Sequence, residues 1–373
     1  MDSKKYLSDW YDAIGFLEQI PGRKHILSGV PLPILQKDLI EEIKTQDEDG
    51  TMDYRHIFTA MCIVVALDEQ FPFADAYLKF LKENADDALK AIDGEIATAW
   101  QKEGAEEIYL MSMAKERIRG SVEDRLETTD AMEGIYNQNW SEGADLSDLL
   151  KEITGRYEAI IEEDENCAVA YAALSRIYEA QAMYIKAKFY SEKALNLAED
   201  DLLKDQMRRA LERVQEPAAI DGARTYLHYG KYEEAIAAIQ SIDSRYSEPA
   251  ACAHILGMAY YGMQDMETAM HFLEEAASCG EDGEIENDLA IALAAAGREK
   301  EAVQILTKII KREKDNRTAH MNRGILNYRE GKYSEALKDF ETAYRLASDP
   351  DLWSLIEQTK ELVDGRKGEN KRT

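Results

Sequence analysis

Residues 317–350 read RTAHMNRGILNYREGKYSEALKDFETAYRLASDP, and this stretch decides the fold. Its small residues, Gly324, Ala336 and Ala343, are interleaved with the large Tyr328, Tyr333, Leu337 and Phe340, and Gly331 stands between two helical runs. Such a segment is expected to form two antiparallel helices joined by a tight turn. The pattern recurs at 168–201, 216–249, 250–282 and 283–316. A fixed period of about 34 residues marks a stacked-repeat architecture, in which each hairpin buries its apolar face against its neighbours.

Aligning the five units gives Ser175, Ala223, Gly257, Ala290 and Gly324 at position 8, opposite Ala187, Ala235, Ala269, Ala302 and Ala336 at position 20. Small residues at both positions let the two helices of a hairpin approach closely. Gly230, Gly297 and Gly331 fall at the turn, where glycine ends a helix at positive φ without strain. These residues resemble the tetratricopeptide repeat. The resemblance covers about 146–364 and implies an all-α, right-handed α-α superhelix, with 146–163 as a leading half-repeat and 351–364 as a capping helix. On this reading 365–373 form a short disordered tail.

The stretch before residue 146 does not repeat. Helix-like runs at 5–19 and 32–45, broken by Pro21-Gly22 and by Gly29 to Pro33, precede an acidic stretch, Gln46 to Gly50, expected to be a solvated turn. It lacks the acidic ligands a calcium loop would need at Thr45 and His56. Residues 57–90 can be read as a degenerate repeat with Ala76 at position 20, or as an unrelated hairpin, since Val64 occupies the place of a small residue. Residues 1–145 are thus expected to be an all-helical N-terminal region. The insert 202–215 is expected to prolong the preceding helix or to form its own.

With 73 acidic against 45 basic residues the net charge is -28, which repels nucleic-acid phosphates and anionic head groups. Neither nucleic acid nor membrane insertion is therefore expected. No secretory leader pattern opens the chain and no apolar run is long enough to span a bilayer, so a cytoplasmic location is expected. Cys62, Cys167, Cys252 and Cys279 are scattered, which suits reduced thiols. Phosphate-binding, zinc and nucleophile-elbow motifs are missing, so no enzyme, cofactor or metal site is expected.

In tetratricopeptide proteins, positions 2, 5, 6, 9, 12 and 13 of the first helix usually face a concave groove. The resemblance places Arg176 there from the first unit, Asp221 and Arg224 from the second, and His254, Met258 and Tyr261 from the third. The fourth contributes Asn287, Asp288 and Ile291, and the fifth Met321, Asn322, Ile325, Tyr328 and Arg329. Asn287 and Asn322 suit a peptide clamp, because an amide both donates and accepts hydrogen bonds. The lysine and asparagine clamp of chaperone-binding members is not matched: positions 5 and 9 are Ala172 and Arg176, Ile220 and Arg224, or His254 and Met258. The resemblance implies a non-catalytic adaptor that holds a protein or peptide ligand. A peptide-responsive regulator with an N-terminal helical effector region is the alternative.

Overall fold

The computed structural model describes residues 7–18, 27, 29–45, 54–67, 71–140, 145–242 and 247–369, without the side chains of a few of them. The expected turn at 46–50 and residues 370–373 lie outside the described residues. The chain divides into two compact units, one of residues 1–181 and 189–210 and the other of 182–188 and 211–373. The leading helix and most of the first repeat thus group with the N-terminal region, and no division falls at 145.

In the first unit, α1 (Ser8–Asp12) leads into β1 (Ile14–Leu17), which pairs antiparallel with β2 (Leu32–Leu35) before α2 (Gln36–Thr45). Helices expected over 5–19 and 32–45 are thus shortened to Ser8–Asp12 and Gln36–Thr45 by this short ribbon. Gly15, Pro33 and the β-branched Ile14 and Ile34 all weaken a helix, and Pro33 has no N–H to offer one. Ile34 and Leu35 are fully buried.

The ribbon covers α3 (Tyr54–Leu67), whose residues from Thr59 to Leu67 are all buried. A helix apolar all round belongs at the centre of a unit. Around it stand α4 (Ala74–Glu83), α5 (Ala85–Gln101) and α6 (Ala105–Ile118), followed by α7 (Val122–Trp140), α8 (Ser147–Glu163) and α9 (Ala168–Ala180). Long-range polar ties fix the arrangement: Tyr77 Oη donates to the Pro31 carbonyl at 2.7 Å and Arg117 Nη1 to the Val65 carbonyl at 2.5 Å. Across α3 and α4, Val64 is buried but Ala76 only partly so; α4 buries Ala74, Tyr77 and Leu81 instead.

Helix α10 (Tyr184–Leu197) is followed by α11 (Asp201–His228). The insert 202–215 therefore continues forward into the first helix of the second repeat instead of prolonging the helix before it. Pro217 lies inside α11.

The second unit continues with α12 (Tyr232–Gln240), α13 (Pro249–Gly262), α14 (Met266–Ser278), α15 (Gly283–Ala295), α16 (Glu299–Arg312), α17 (Arg317–Arg329), α18 (Tyr333–Leu346) and α19 (Pro350–Glu369). Each helix from α12 onward packs on the next, so the hairpins α13/α14, α15/α16 and α17/α18 stack as an α-α solenoid. The described residues are overwhelmingly helical, and the fold class is the all-α one expected from the repeat.

The turn between the helices of each repeat has one backbone form. Position 15 has φ of +68° at Gly230, +81° at Gly297 and +75° at Gly331, but also +55° at Ala182 and +66° at Gln264. Position 8 is small for a reason the alignment obscures. A Cβ on Gly257 would meet Leu273 Cγ at 2.6 Å, and one on Gly324 would meet Phe340 Cε1 at 2.6 Å. The large residue at position 24 therefore fills the space that position 8 leaves. Ala223 and Ile239 share one core cluster and Ala290 and Leu306 another. In the first repeat the same two positions hold Ser175 and Ser191, whose hydroxyls share a buried hydrogen bond.

Helix α19 covers the last hairpin with Leu352, Ile356 and Val363. Trp353 and Leu362 of the same helix are partly exposed; the Trp353 ring lies 5.2 Å from that of Tyr344, with Lys360 Nζ 5.2 Å from its centre. Helix α19 also passes the expected end at 364.

Candidate functional site

Helices α15 and α17 are the first helices of consecutive repeats, and each presents its positions 9 and 13 to the space between them. Ala290, Ile291, Ala294 and Ala295 from α15 face Asn322, Ile325, Leu326 and Arg329 from α17, with Tyr261 at one edge and Leu306 beneath. They enclose a cleft of about 470 Å³. The hollow exists because positions 12 and 13 of the fourth repeat are both alanine. Those alanines, together with Leu306 and Leu326, carry no chemical signal in the sequence, and only the register could have pointed to Ala294 and Ala295.

Five residues expected in the groove therefore meet in this one cleft: Tyr261, Ile291, Asn322, Ile325 and Arg329. Asn322 Nδ2 donates to Asn287 Oδ1 at 3.3 Å, and Asn287 Nδ2 donates to the Gly283 carbonyl at 2.9 Å. Asn287 is buried, and its amide orients that of Asn322. The carbonyl oxygen of Asn322 makes no hydrogen bond among the described residues. Arg329 is exposed and likewise makes no ion pair among them. The lining offers no carboxylate, imidazole or thiol. It can bury an apolar side chain, accept one hydrogen bond and hold one negative charge.

The other expected residues are placed differently. Arg224 and His254 line a second hollow of about 670 Å³ with Glu248, Cys279 and Glu284. There His254 Nε2 lies 2.7 Å from Asp288 Oδ2, and Arg224 Nη1 lies 3.8 Å from Asp221 Oδ1, so Asp221 and Asp288 serve as partners within the fold. Met258 packs on the core around Leu273 and Leu289, and Met321 and Tyr328 on that around Phe340. The Tyr328 ring meets that of Tyr333 edge-on at 5.3 Å.

Arg176 belongs to the first unit, where its guanidinium clasps Glu133 of α7 at 2.7 and 2.8 Å. Desolvation works against its charge, but the Glu133 carboxylate outweighs it and raises the arginine pKa. Cys62 and Cys252 are buried, Cys167 is partly so and Cys279 is exposed. Burial lifts the Cys252 thiol to about 11. Among the described residues no group of histidines, cysteines and acids is placed to hold a metal ion, and no helix is long and apolar enough to cross a membrane.

Two family models, both described as tetratricopeptide repeat, match the chain, one over residues 318–350 and the other over 168–201 and 250–278. No curated protein matches the chain significantly. Among solved structures it is similar to YrrB, described as a TPR protein with an unusual peptide-binding site, at 18% identity and a TM-score of 0.37 over 54% of this chain and 97% of that one. It is similar to MamA at 17% identity and 0.35 over 46% and 94%. The TPR2AB domain of yeast Sti1 in its pHSP90 complex gives 13% identity and 0.31 over 74% and 97%.

Proposed function

We propose, from the tetratricopeptide repeats matched at 168–201, 250–278 and 318–350, that this chain is a non-catalytic adaptor holding an extended partner segment in the cleft between α15 and α17. One observation carries the reading: five groove positions taken from three successive repeats, Tyr261, Ile291, Asn322, Ile325 and Arg329, line a single hollow. The segment places an apolar side chain over Ala294 and Ala295, a backbone N–H on the Asn322 carbonyl oxygen and a carboxylate on Arg329. Burying one leucine-sized side chain contributes about 1.5–3 kcal/mol, and a hydrogen bond to a charged group about as much again.

Affinity capture from the native lysate tests this reading. The Asn322→Ala, Arg329→Glu double variant loses the partner at least about tenfold while its helical circular dichroism is unchanged. Equal capture by the double variant would move the binding surface off this cleft.

A further inference from the structure

A second cleft, independent of the repeat groove, lies in the first unit, where the end of α5 and the start of α6 meet α7. It measures about 340 Å³, and its walls include Ala105, Ile108 and Gly134, with Trp100, Glu103 and Asp130 around them. Trp100 is 67% exposed, an unusual state for a residue with so much apolar surface to hide. A Cβ built on Gly134 would touch only the Ala105 Cβ, at 4.0 Å, so α6 and α7 do not close over the hollow.

The charges of this cleft are unbalanced. Tyr157 Oη donates to Asp130 Oδ1 at 2.5 Å and lies 3.1 Å from Glu133 Oε2. Glu133 is neutralised by Arg176, whereas neither Asp130 nor Glu103 makes an ion pair among the described residues. Desolvation by the surrounding helices raises the Asp130 pKa against the opposing Tyr157 hydrogen bond, although the side chain remains open to solvent. A carboxylate in that position gains from any cation brought to it. Glu103, for its part, has φ of +55° at the end of α5, a conformation that favours glycine. The chain carries a carboxylate at the rim in spite of the backbone strain.

We infer that this cleft is a receptor for a lysine side chain of a basic partner peptide, its methylenes lying along Trp100 and Ile108 and its ammonium between Glu103 and Asp130. The open indole face adds a cation–π contact, and the apolar walls suit the four-carbon stem of lysine. The overall charge of -28 draws basic partners toward the surface but selects no place on it. The pairing of carboxylates with an uncovered tryptophan supplies that selection.

The test uses the full chain and a capped, fluorescently labelled peptide of alternating glycine and lysine, followed by polarisation at low and physiological salt. Asp130→Asn and Glu103→Gly each weaken binding about fivefold and Trp100→Ala about threefold. Asp201→Asn, which removes the same charge from a fully exposed side chain, leaves it unchanged. Glu103→Gly also raises the melting temperature as it relieves the turn, which separates lost binding from lost folding. Equal weakening by Asp201→Asn would show attraction to bulk charge and overturn the site. So would failure of the peptide to bind, or spermidine binding more tightly than the peptide, which would assign the cleft to free polyamines.

Discussion

Gly324 and Phe340 are one residue divided between two helices: a Cβ on the glycine would stand 2.6 Å from the phenylalanine Cε1, and the ring occupies the space the glycine leaves. The same exchange of volume links Gly257 with Leu273. Position 8 of each repeat is thus set by position 24 of the same hairpin as much as by the approach of the backbones.

Gly324→Ala should destabilise the second unit by about 1–3 kcal/mol through overpacking, and Phe340→Leu alone by about 1 kcal/mol. Made together, they should cost less than the sum, because the smaller side chain admits the new methyl group. Urea unfolding of the four proteins in a double-mutant cycle measures the coupling, and strict additivity would separate the two residues.

Gln264 holds the left-handed turn that glycine holds at Gly297 and Gly331. A non-glycine residue there costs about 1–2 kcal/mol, of which the added freedom of an unfolded glycine returns part. Gln264→Gly should therefore stabilise the protein by about 0.5–1 kcal/mol in thermal unfolding. Destabilisation would mean that the glutamine side chain makes a compensating contact.

The N-terminus of α7 is closed by a reciprocal pair: the Ser121 N–H donates to Asp124 Oδ2 at 3.0 Å and the Asp124 N–H to Ser121 Oγ at 3.2 Å. Burial opposes ionisation of Asp124, but Arg119 and Ser121 outweigh it and hold its carboxyl below the ordinary range. A carboxyl with a lower pKa folded than unfolded stabilises the fold above the unfolded value, about 4, and the contribution is withdrawn as pH falls through the folded value. Asp124→Asn should cost about 1 kcal/mol at neutral pH and flatten the loss of stability below about pH 4. Melting curves between neutral pH and pH 2 check both.

The repeat was legible because its small and large positions recur at one spacing, and Tyr261, Ile291, Asn322, Ile325 and Arg329 followed from that register. Three features were not. The register places Asn287 in the groove but cannot show that its amide donates to the Gly283 carbonyl and accepts from Asn322, a partnership set by side-chain rotamers. Ala294 and Ala295 shape the hollow by what they lack. The ribbon of Ile14–Leu17 and Leu32–Leu35 is stabilised by pairing across the intervening residues, which a local helical pattern cannot register.

Arg176 illustrates the same limit. The repeat register assigned it to the groove, yet it is bound to a glutamate 43 residues earlier in the chain. Because the arginine is largely exposed, Arg176→Ala should cost no more than about 1 kcal/mol and leave partner capture unchanged. Lost capture at unchanged stability would return Arg176 to the binding surface.

The cleft between α15 and α17 is tested most directly by filling it. Ala295 is exposed at the end of α15 and lines the hollow, so Ala295→Phe occupies the space without disturbing the core. Peptides selected from a random display library on the native protein should bind the Ala295→Phe variant at least about tenfold more weakly by fluorescence polarisation. Undiminished affinity of those peptides for the filled variant would contradict the account.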